Sequence, residues 1–453
     1  MIAALLLAGL LAAWSWRRPV RLIWSLWVVG LLHGVMLLVA GPGLLRVKEF
    51  LLAALLARLV TDRRARGLAR AVPVAPLAAL GGVALLSLLF SSVPTVQALL
   101  GLRGLLQWPL LLLGACAYLD RREVERGLTL LLPVLALSTA LAVWQYRSPV
   151  ESLLSAGYSY FLNVREYAGV VRAFGGMIYS IPFGHSMAVL ALAYLATAAT
   201  ADGRRLRLAS SAGAALALVG LLCSGNRTAL VGFAFSALTG AAVLLRRLAD
   251  RRLRQRLGVA AAALALLGVL VVTLDPRAAE AIARLANGGA ALAARFDIWR
   301  VVVSEADPLL GDGPGTFGVS ALPRGASAAD QTRYFGAGIV DNYYVTLYGQ
   351  YGLAAVPLVV GWLLVLRHRV ARSTAALPDR LTALCCLVYL ALAMLTLNIW
   401  EDFPQPVFLW SLVGAGLRDG LRAPPRVQDT ATRLPSATPR VSSSIAADHA
   451  RRS

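Results

Sequence analysis

Long apolar runs follow one another along most of this chain, separated by short polar stretches. Leu22–Ala40, Val72–Phe90, Leu208–Cys223, Leu257–Leu274 and Ala354–Leu366 are examples. Runs of this kind approach the ~20 residues that a helix needs to cross a bilayer, and by that criterion about 12–13 spans are predicted. The pattern predicts an all-α, polytopic membrane protein. The least regular run, Leu44–Val60, carries Arg46, Lys48 and Glu49 near its start. It reads as a tilted span or an interfacial helix. If every run crosses, the N-terminus lies outside and the C-terminus inside. If the first or third run lies flat, about twelve spans remain and both ends are cytoplasmic. The opening MIAALLLAGLLAAWSW has no basic leader and no clear cleavage site, so it reads as a retained helix.

Composition agrees with the pattern. The 453 residues are 58% hydrophobic and 15% charged, with mean hydropathy +0.69. A soluble chain would be about a quarter charged. The net charge of +21 invites a nucleic-acid partner, but its placement argues against one. Arginines gather in short clusters between apolar runs, at Arg17–Arg21, Asp62–Arg70, Asp120–Arg126, Gly203–Arg207, Arg246–Arg256 and Arg367–Arg372. That is the signature of cytoplasmic loops beside anionic lipid, so the bilayer is the expected partner and nucleic acid is not.

This orientation leaves two long segments outside, at about 147–180 and about 275–341. The second is predicted to be a large helical periplasmic loop between two late spans. Both are poor in arginine, and those they do carry need an explanation other than topology. They are Arg147, Arg165 and Arg172, then Arg277, Arg284, Arg295, Arg300, Arg324 and Arg333. Residues 1–421 read as the membrane domain. Residues 422–453, rich in Pro, Ser, Thr and Ala, read as a disordered cytoplasmic tail. Cys116, Cys223, Cys385 and Cys386 read as packed thiols, and the four histidines are scattered. No Walker motif or GxGxxG run occurs. No metal site and no cofactor are predicted.

Four stretches on the outer side carry candidate chemistry. RAFGGMIYSIPFGHSMAV (Arg172–Val189) takes a charged loop into an apolar helix. CSGNRTALVGF (Cys223–Phe233) is a tight turn with Arg227 at the membrane edge. RFDIWRVVVSEADPLLGDGPGTFG (Arg295–Gly318) is an amphipathic helix ending in a Pro/Gly-rich loop. VDNYYVTLYGQYGL (Val340–Leu353) places Asp341 at the mouth of a helix.

In this order the four stretches resemble the O-antigen ligase and polysaccharide polymerase superfamily of integral membrane glycosyltransferases. The family's Ser-Gly-x-Arg turn is matched by Ser224, Gly225, Asn226 and Arg227. Its Arg…Ile-Trp helix and Pro-Leu-Leu-Gly-x-Gly-Pro-Gly-x-Phe run are matched by Arg295, Ile298, Trp299, then Pro308–Gly311, Gly313, Pro314, Gly315 and Phe317. Its (His/Asp)-Asn-x-Tyr segment and Glu/Gln-x-Gly-Leu helix are matched by Asp341, Asn342, Tyr344, Gln350, Gly352 and Leu353. The resemblance runs from about Arg172 to Leu353. Asp341 stands where ligases carry a His, which favours the polymerase branch.

The resemblance implies an inner-membrane enzyme of bacteria with its active face in the periplasm. It would join undecaprenyl-diphosphate-linked oligosaccharide repeat units to a growing polysaccharide, whether O-antigen, capsule or exopolysaccharide. A chain-length regulator is a further candidate partner. The diphosphate leaving group needs cations. The sequence offers no carboxylate cluster for a metal, so a metal-independent, inverting transfer is expected, with arginines as the cations. Arg172, Arg227 and Arg300 are the expected clamp, with Arg295 in reserve; the plain alternatives are a loop salt bridge for Arg172, a snorkelling side chain for Arg227 and a water-facing side chain for Arg295 or Arg300. Asp341 is the expected general base, or else caps the following helix. Asn342 would orient the sugar or hold Asp341. The loop with Gly313 and Gly315 could cradle phosphate or sugar, or simply break two helices. Tyr343, Tyr344 and Trp299 could stack on sugar or form an interfacial belt. Glu401 and Asp402 could bind acceptor hydroxyls, act as an alternative base, or lie in an exposed turn. Same-fold alternatives are an O-antigen ligase or a protein O-oligosaccharyltransferase. A lipid-linked oligosaccharide transporter is the alternative of a different class, which would place ionisable groups along a path through the membrane.

Overall fold

The arginine clusters fall at helix ends and in short connections of the computed structural model, which describes residues 2–41, 44, 46–160, 163–167, 170–247, 289–318 and 340–418. Its helices are α1 (Ile2–Ser15), α2 (Val20–Ala40), α3 (Val47–Thr61), α4 (Arg63–Ala69), α5 (Val74–Phe90), α6 (Thr95–Tyr118), α7 (Arg121–Arg147) and α8 (Val150–Ser155). After a two-stranded antiparallel hairpin, β1 (Glu166–Tyr167) with β2 (Val170–Val171), come α9 (Ser180–Thr200), α10 (Arg204–Cys223) and α11 (Arg227–Arg247). Then come α12 (Gly289–Glu305), α13 (Tyr343–Tyr351), α14 (Ala355–Arg372), α15 (Leu377–Ala393) and α16 (Gln405–Leu417).

The described residues form an all-α, multi-pass membrane protein. Six helices are long and apolar enough to cross a bilayer: α2, α6, α7, α9, α10 and α11. The pair α4 and α5, bent by 87°, would make a seventh. This is fewer than the apolar runs predict, for local reasons. Helix α15 has 17 residues and α16 has 13, and α14 ends on Arg369 and Arg372. The predicted span at Leu257–Leu274, most of the outer loop 275–341 and the tail at 422–453 lie outside the described residues.

Helix α16 is surrounded by protein rather than lipid. All of its residues are buried, and it packs on α6, α15 and α9. Two small residues permit the approach. A Cβ on Gly414 would stand 2.6 Å from the Ala115 Cβ, and one on Gly416 would stand 2.3 Å from the Ala383 Cβ. Close backbone contact of this kind is how helices associate where lipid gives no hydrophobic drive. Beside it, Trp362, Trp400 and Trp410 pack ring on ring at 5.0–5.6 Å.

Contacts between connections separate the bundle into two ends. At the arginine end, Arg121 meets Asp379 at 3.4 Å, and Arg369 donates to the Ala71 carbonyl at 3.1 Å. At the opposite end, Lys48 lies 4.3 Å over the Phe403 ring, and the Gln97 amide donates to the Gly315 carbonyl at 2.7 Å. The α7–α9, α10–α11 and α15–α16 connections belong to this second end.

Gly414→Val is expected to destabilise the fold by about 1–3 kcal/mol through overpacking. Thermal unfolding of the detergent-solubilised protein should show a lower midpoint. Gly361→Ala, where an added Cβ meets nothing within 4 Å, should leave the midpoint unchanged or raised.

Candidate functional site

Two neighbouring polar residues compete for the start of α13, and Asn342 takes the cap. Its side-chain oxygen accepts the N–H groups of Tyr344 at 3.0 Å and Val345 at 3.2 Å. That satisfies two of the helix's orphan donors. Asp341 is thereby released from capping, and Asn342 spends its acceptor on the helix rather than on sugar. The Asp341 Oδ2 instead lies 3.3 Å from an Arg295 guanidinium nitrogen, with 34% and 40% of the two side chains exposed. Burial raises the Asp341 carboxyl above its ordinary value, and Arg295 and then Arg165 oppose that rise.

The remaining arginines reach this place through backbone stitching. The Arg172 N–H donates to the Arg165 carbonyl at 2.9 Å, across the hairpin, and the Ala173 N–H donates to the Cys223 carbonyl at 3.0 Å. Arg172 Nε donates to the Ser224 carbonyl at 3.3 Å. Gly225 turns the chain there at φ +57, which favours glycine. Asn226 accepts from the Ala229 N–H at 3.2 Å, so α11 begins at once and Arg227 is its first residue. Arg172 is pushed down to about 10, first by burial and then by Arg165, Arg227 and Arg295. It stays protonated at neutral pH. Three segments far apart in sequence thus bring Arg165, Arg227 and Arg295 near enough for their charges to act on Arg172.

Arg300 is not brought to this group. It is exposed, and it is not among the charges acting on Arg172 or Asp341. It lies five positions beyond Arg295, roughly 140° around the helix. Among the described residues no cluster of His, Cys, Asp or Glu could hold a metal ion.

A second polar pair adjoins the first. The Tyr179 hydroxyl donates to Asp402 Oδ1 at 2.6 Å. Burial pushes Asp402 up to about 6, offset by bonds from Tyr179 and Gln405 and by the charges of Lys48 and Arg165. Arg165 also sits 5.6 Å over the Tyr179 ring. Arg165 therefore acts on both carboxylates, and sequence reasoning did not single it out. The available signal was its place among the few arginines of an outer loop. Lys48, the sole lysine, and Tyr179 were likewise missed. Glu401 is buried rather than part of an exposed turn, close against Gly104 and Gly318.

The glycine loop supports the site rather than cradling a ligand. The Asp312 N–H donates to the Gly349 carbonyl at 2.8 Å, and the Gly313 N–H donates to the Gln350 carbonyl at 3.1 Å. The Gly315 N–H donates to Gln350 Oε1 at 3.0 Å, and Gln350 Nε2 donates to the Phe317 carbonyl. These donors are spent on α13. Gly313 at φ +107 and Gly315 at φ +83 press on Ser91 and Gln97, where a Cβ would come within 2.4 and 2.5 Å. The loop holds α12 to α13, and with it Arg295 to Asp341. The aromatic residues do not share one platform. Tyr343 is buried and stacked on Trp400, the Tyr344 hydroxyl donates to the Ala391 carbonyl at 3.2 Å, and half-buried Trp299 meets Phe296 edge-on.

Compared with known proteins, the chain matches no family model and no curated sequence.

Gln350→Leu should leave the Gly315 N–H and the Phe317 carbonyl without partners, at about 1–3 kcal/mol each. The expected outcome is a lower unfolding midpoint and new protease cleavage within residues 311–318, read by limited proteolysis.

Proposed function

We propose that this chain is an integral membrane glycosyltransferase that polymerises polyprenyl-diphosphate-linked repeat units. Its site lies at the helix ends opposite the arginine clusters. One observation carries the reading: Arg295 and Arg165 act on Asp341, and Arg165, Arg227 and Arg295 act on Arg172, so four cations gather from three distant segments although like charges repel. A cationic group of this kind suits a bound polyanion, and a diphosphate is the polyanion that the resemblance implies. By the positive-inside rule the arginine end is cytoplasmic, so the site faces the periplasm of a bacterial inner membrane.

In this reading the acceptor sugar hydroxyl attacks the anomeric carbon of the donor glycan. The new C–O bond forms as the bond to the diphosphate oxygen breaks, and configuration inverts. The hydroxyl proton passes to Asp341. Burial makes that carboxylate a stronger base than an exposed one. The electron pair leaves with the polyprenyl diphosphate, whose developing charge is met by Arg172 and Arg227. Proton uptake by Asp341 also frees Arg295 from its ion pair, so its charge becomes available as the leaving group needs it. Asp341 in the position of the ligase His favours extension of a lipid-linked chain over transfer to a lipid core.

The test is purified protein with lipid-linked repeat units, read as a ladder of lengthened lipid-linked glycan. Asp341→Asn should lower the rate by about 10²–10⁴-fold. Arg227→Gln should lower it by about 10²–10³-fold. Normal ladders from either variant would remove that residue from the mechanism. Transfer only to lipid-A core would mark a ligase, and lipid scrambling without extension a transporter.

Activity should fall on acidification as Asp341 is protonated, at a pH raised by burial above the ordinary aspartate value. Arg295→Gln removes the charge that opposes this rise. The acidic limb should therefore move to higher pH in that variant, a shift that a purely structural role for Arg295 would not produce.

A further inference from the structure

A cavity of about 1330 Å³ opens at the arginine end, far from the site just described. Its walls come from the α1–α2, α3–α4 and α6–α7 connections and from Arg418, the residue immediately after α16. Six arginines and four acids line it. The acids are committed elsewhere. Asp62 caps α4, Asp120 caps α7, Glu123 pairs with Arg126 at 3.0 Å and Glu125 pairs with Arg121 at 2.6 Å. Arg21 rests on the Trp14 ring at 4.3 Å and donates to the Trp14 carbonyl. Arg18, Arg64, Arg122 and Arg418 remain, and among the described residues none of them has an ion pair.

The same cavity has an apolar side. Trp14 is 56% exposed and Leu130 is 59% exposed, and Trp24 and Tyr118 complete an aromatic rim. Aromatic and aliphatic surface beside unpaired arginines at the ends of membrane helices matches the boundary between headgroups and acyl chains. A soluble anion would use the cations and leave the apolar rim idle.

We propose that this cavity binds an anionic phospholipid through its phosphodiester groups, with Arg18, Arg64, Arg122 and Arg418 as the cations. Four guanidinium groups suit a headgroup carrying two phosphodiesters. Such a lipid fastens three connections to the end of the buried helix α16. The site is separate from the proposed reaction, so its test needs no glycan.

The test uses the full chain purified in detergent, with native mass spectrometry and thermal unfolding. The probes are cardiolipin, dioleoylphosphatidylcholine and inorganic phosphate. The expected result is retained cardiolipin and a raised midpoint, with neither effect from phosphatidylcholine or phosphate. Arg18→Gln/Arg64→Gln/Arg122→Gln should lower cardiolipin retention at least tenfold. Arg63→Gln/Arg66→Gln, exposed and outside the cavity, should retain it. If the triple variant fails to fold, Arg122→Gln alone should still lower retention about threefold. Equal effects of phosphatidylcholine, an equal effect of phosphate, or equal loss in both sets of variants would overturn the proposal.

Discussion

Arg295 and Asp341 lie on segments separated by a long stretch of chain, yet their charged atoms are 3.3 Å apart. The pair depends on how α12 is fastened to α13. Gln350 does the fastening, with its carbonyl and both ends of its amide bonded to the loop between Gly313 and Phe317. The pair in turn sets the character of the site. It gives Asp341 an oriented partner while burial raises the carboxyl above its ordinary value. It also adds a third guanidinium group to those of Arg165 and Arg172, whose backbones a hydrogen bond already joins. Main-chain hydrogen bonds hold these cations near one another, and Asp341 and Asp402 offset part of their repulsion.

The connection before α16 extends the same arrangement. Just before the enclosed helix α16, the chain packs against the segment that leads into α9. Asp402 then meets Tyr179, and Arg165 lies over the Tyr179 ring. A carboxylate held in such surroundings needs a hydrogen bond to remain there, and the tyrosine hydroxyl supplies it. Arg165 thus stands between two carboxylates of different setting. One is partly exposed beside Arg295, and the other is bound to a phenol.

The two ends of the bundle use arginine in different ways. At one end the residues are numerous, mostly exposed and spread over short connections. At the other, Arg165, Arg172, Arg227 and Arg295 are half-buried and gathered from distant segments. Helix α16 joins the two, with Asp402 shortly before its first residue and Arg418 immediately after its last.

The apolar runs and the arginine clusters between them were enough to give the all-α, multi-pass class. Hydrophobic length and charge are local properties, and a helix in lipid satisfies its own backbone. The outer-loop arginines could also be marked as unusual from their scarcity. Beyond this the residue string was ambiguous. Asp341 and Asn342 are equally good caps, and only the path of the chain into α13 gives the role to Asn342. Arg295 and Arg300 share one helix, and the rotation of that helix against α13 brings the first to Asp341 and leaves the second in the open. Gly313 and Gly315 signalled a close approach, but whether to a ligand or to protein depended on Gln350. The 13 residues of α16 looked like part of a span until its neighbours showed that protein encloses them. Each of these was decided by contacts between distant segments. Helical phase and helix–helix distance, which no single run of residues encodes, determine which polar atoms meet.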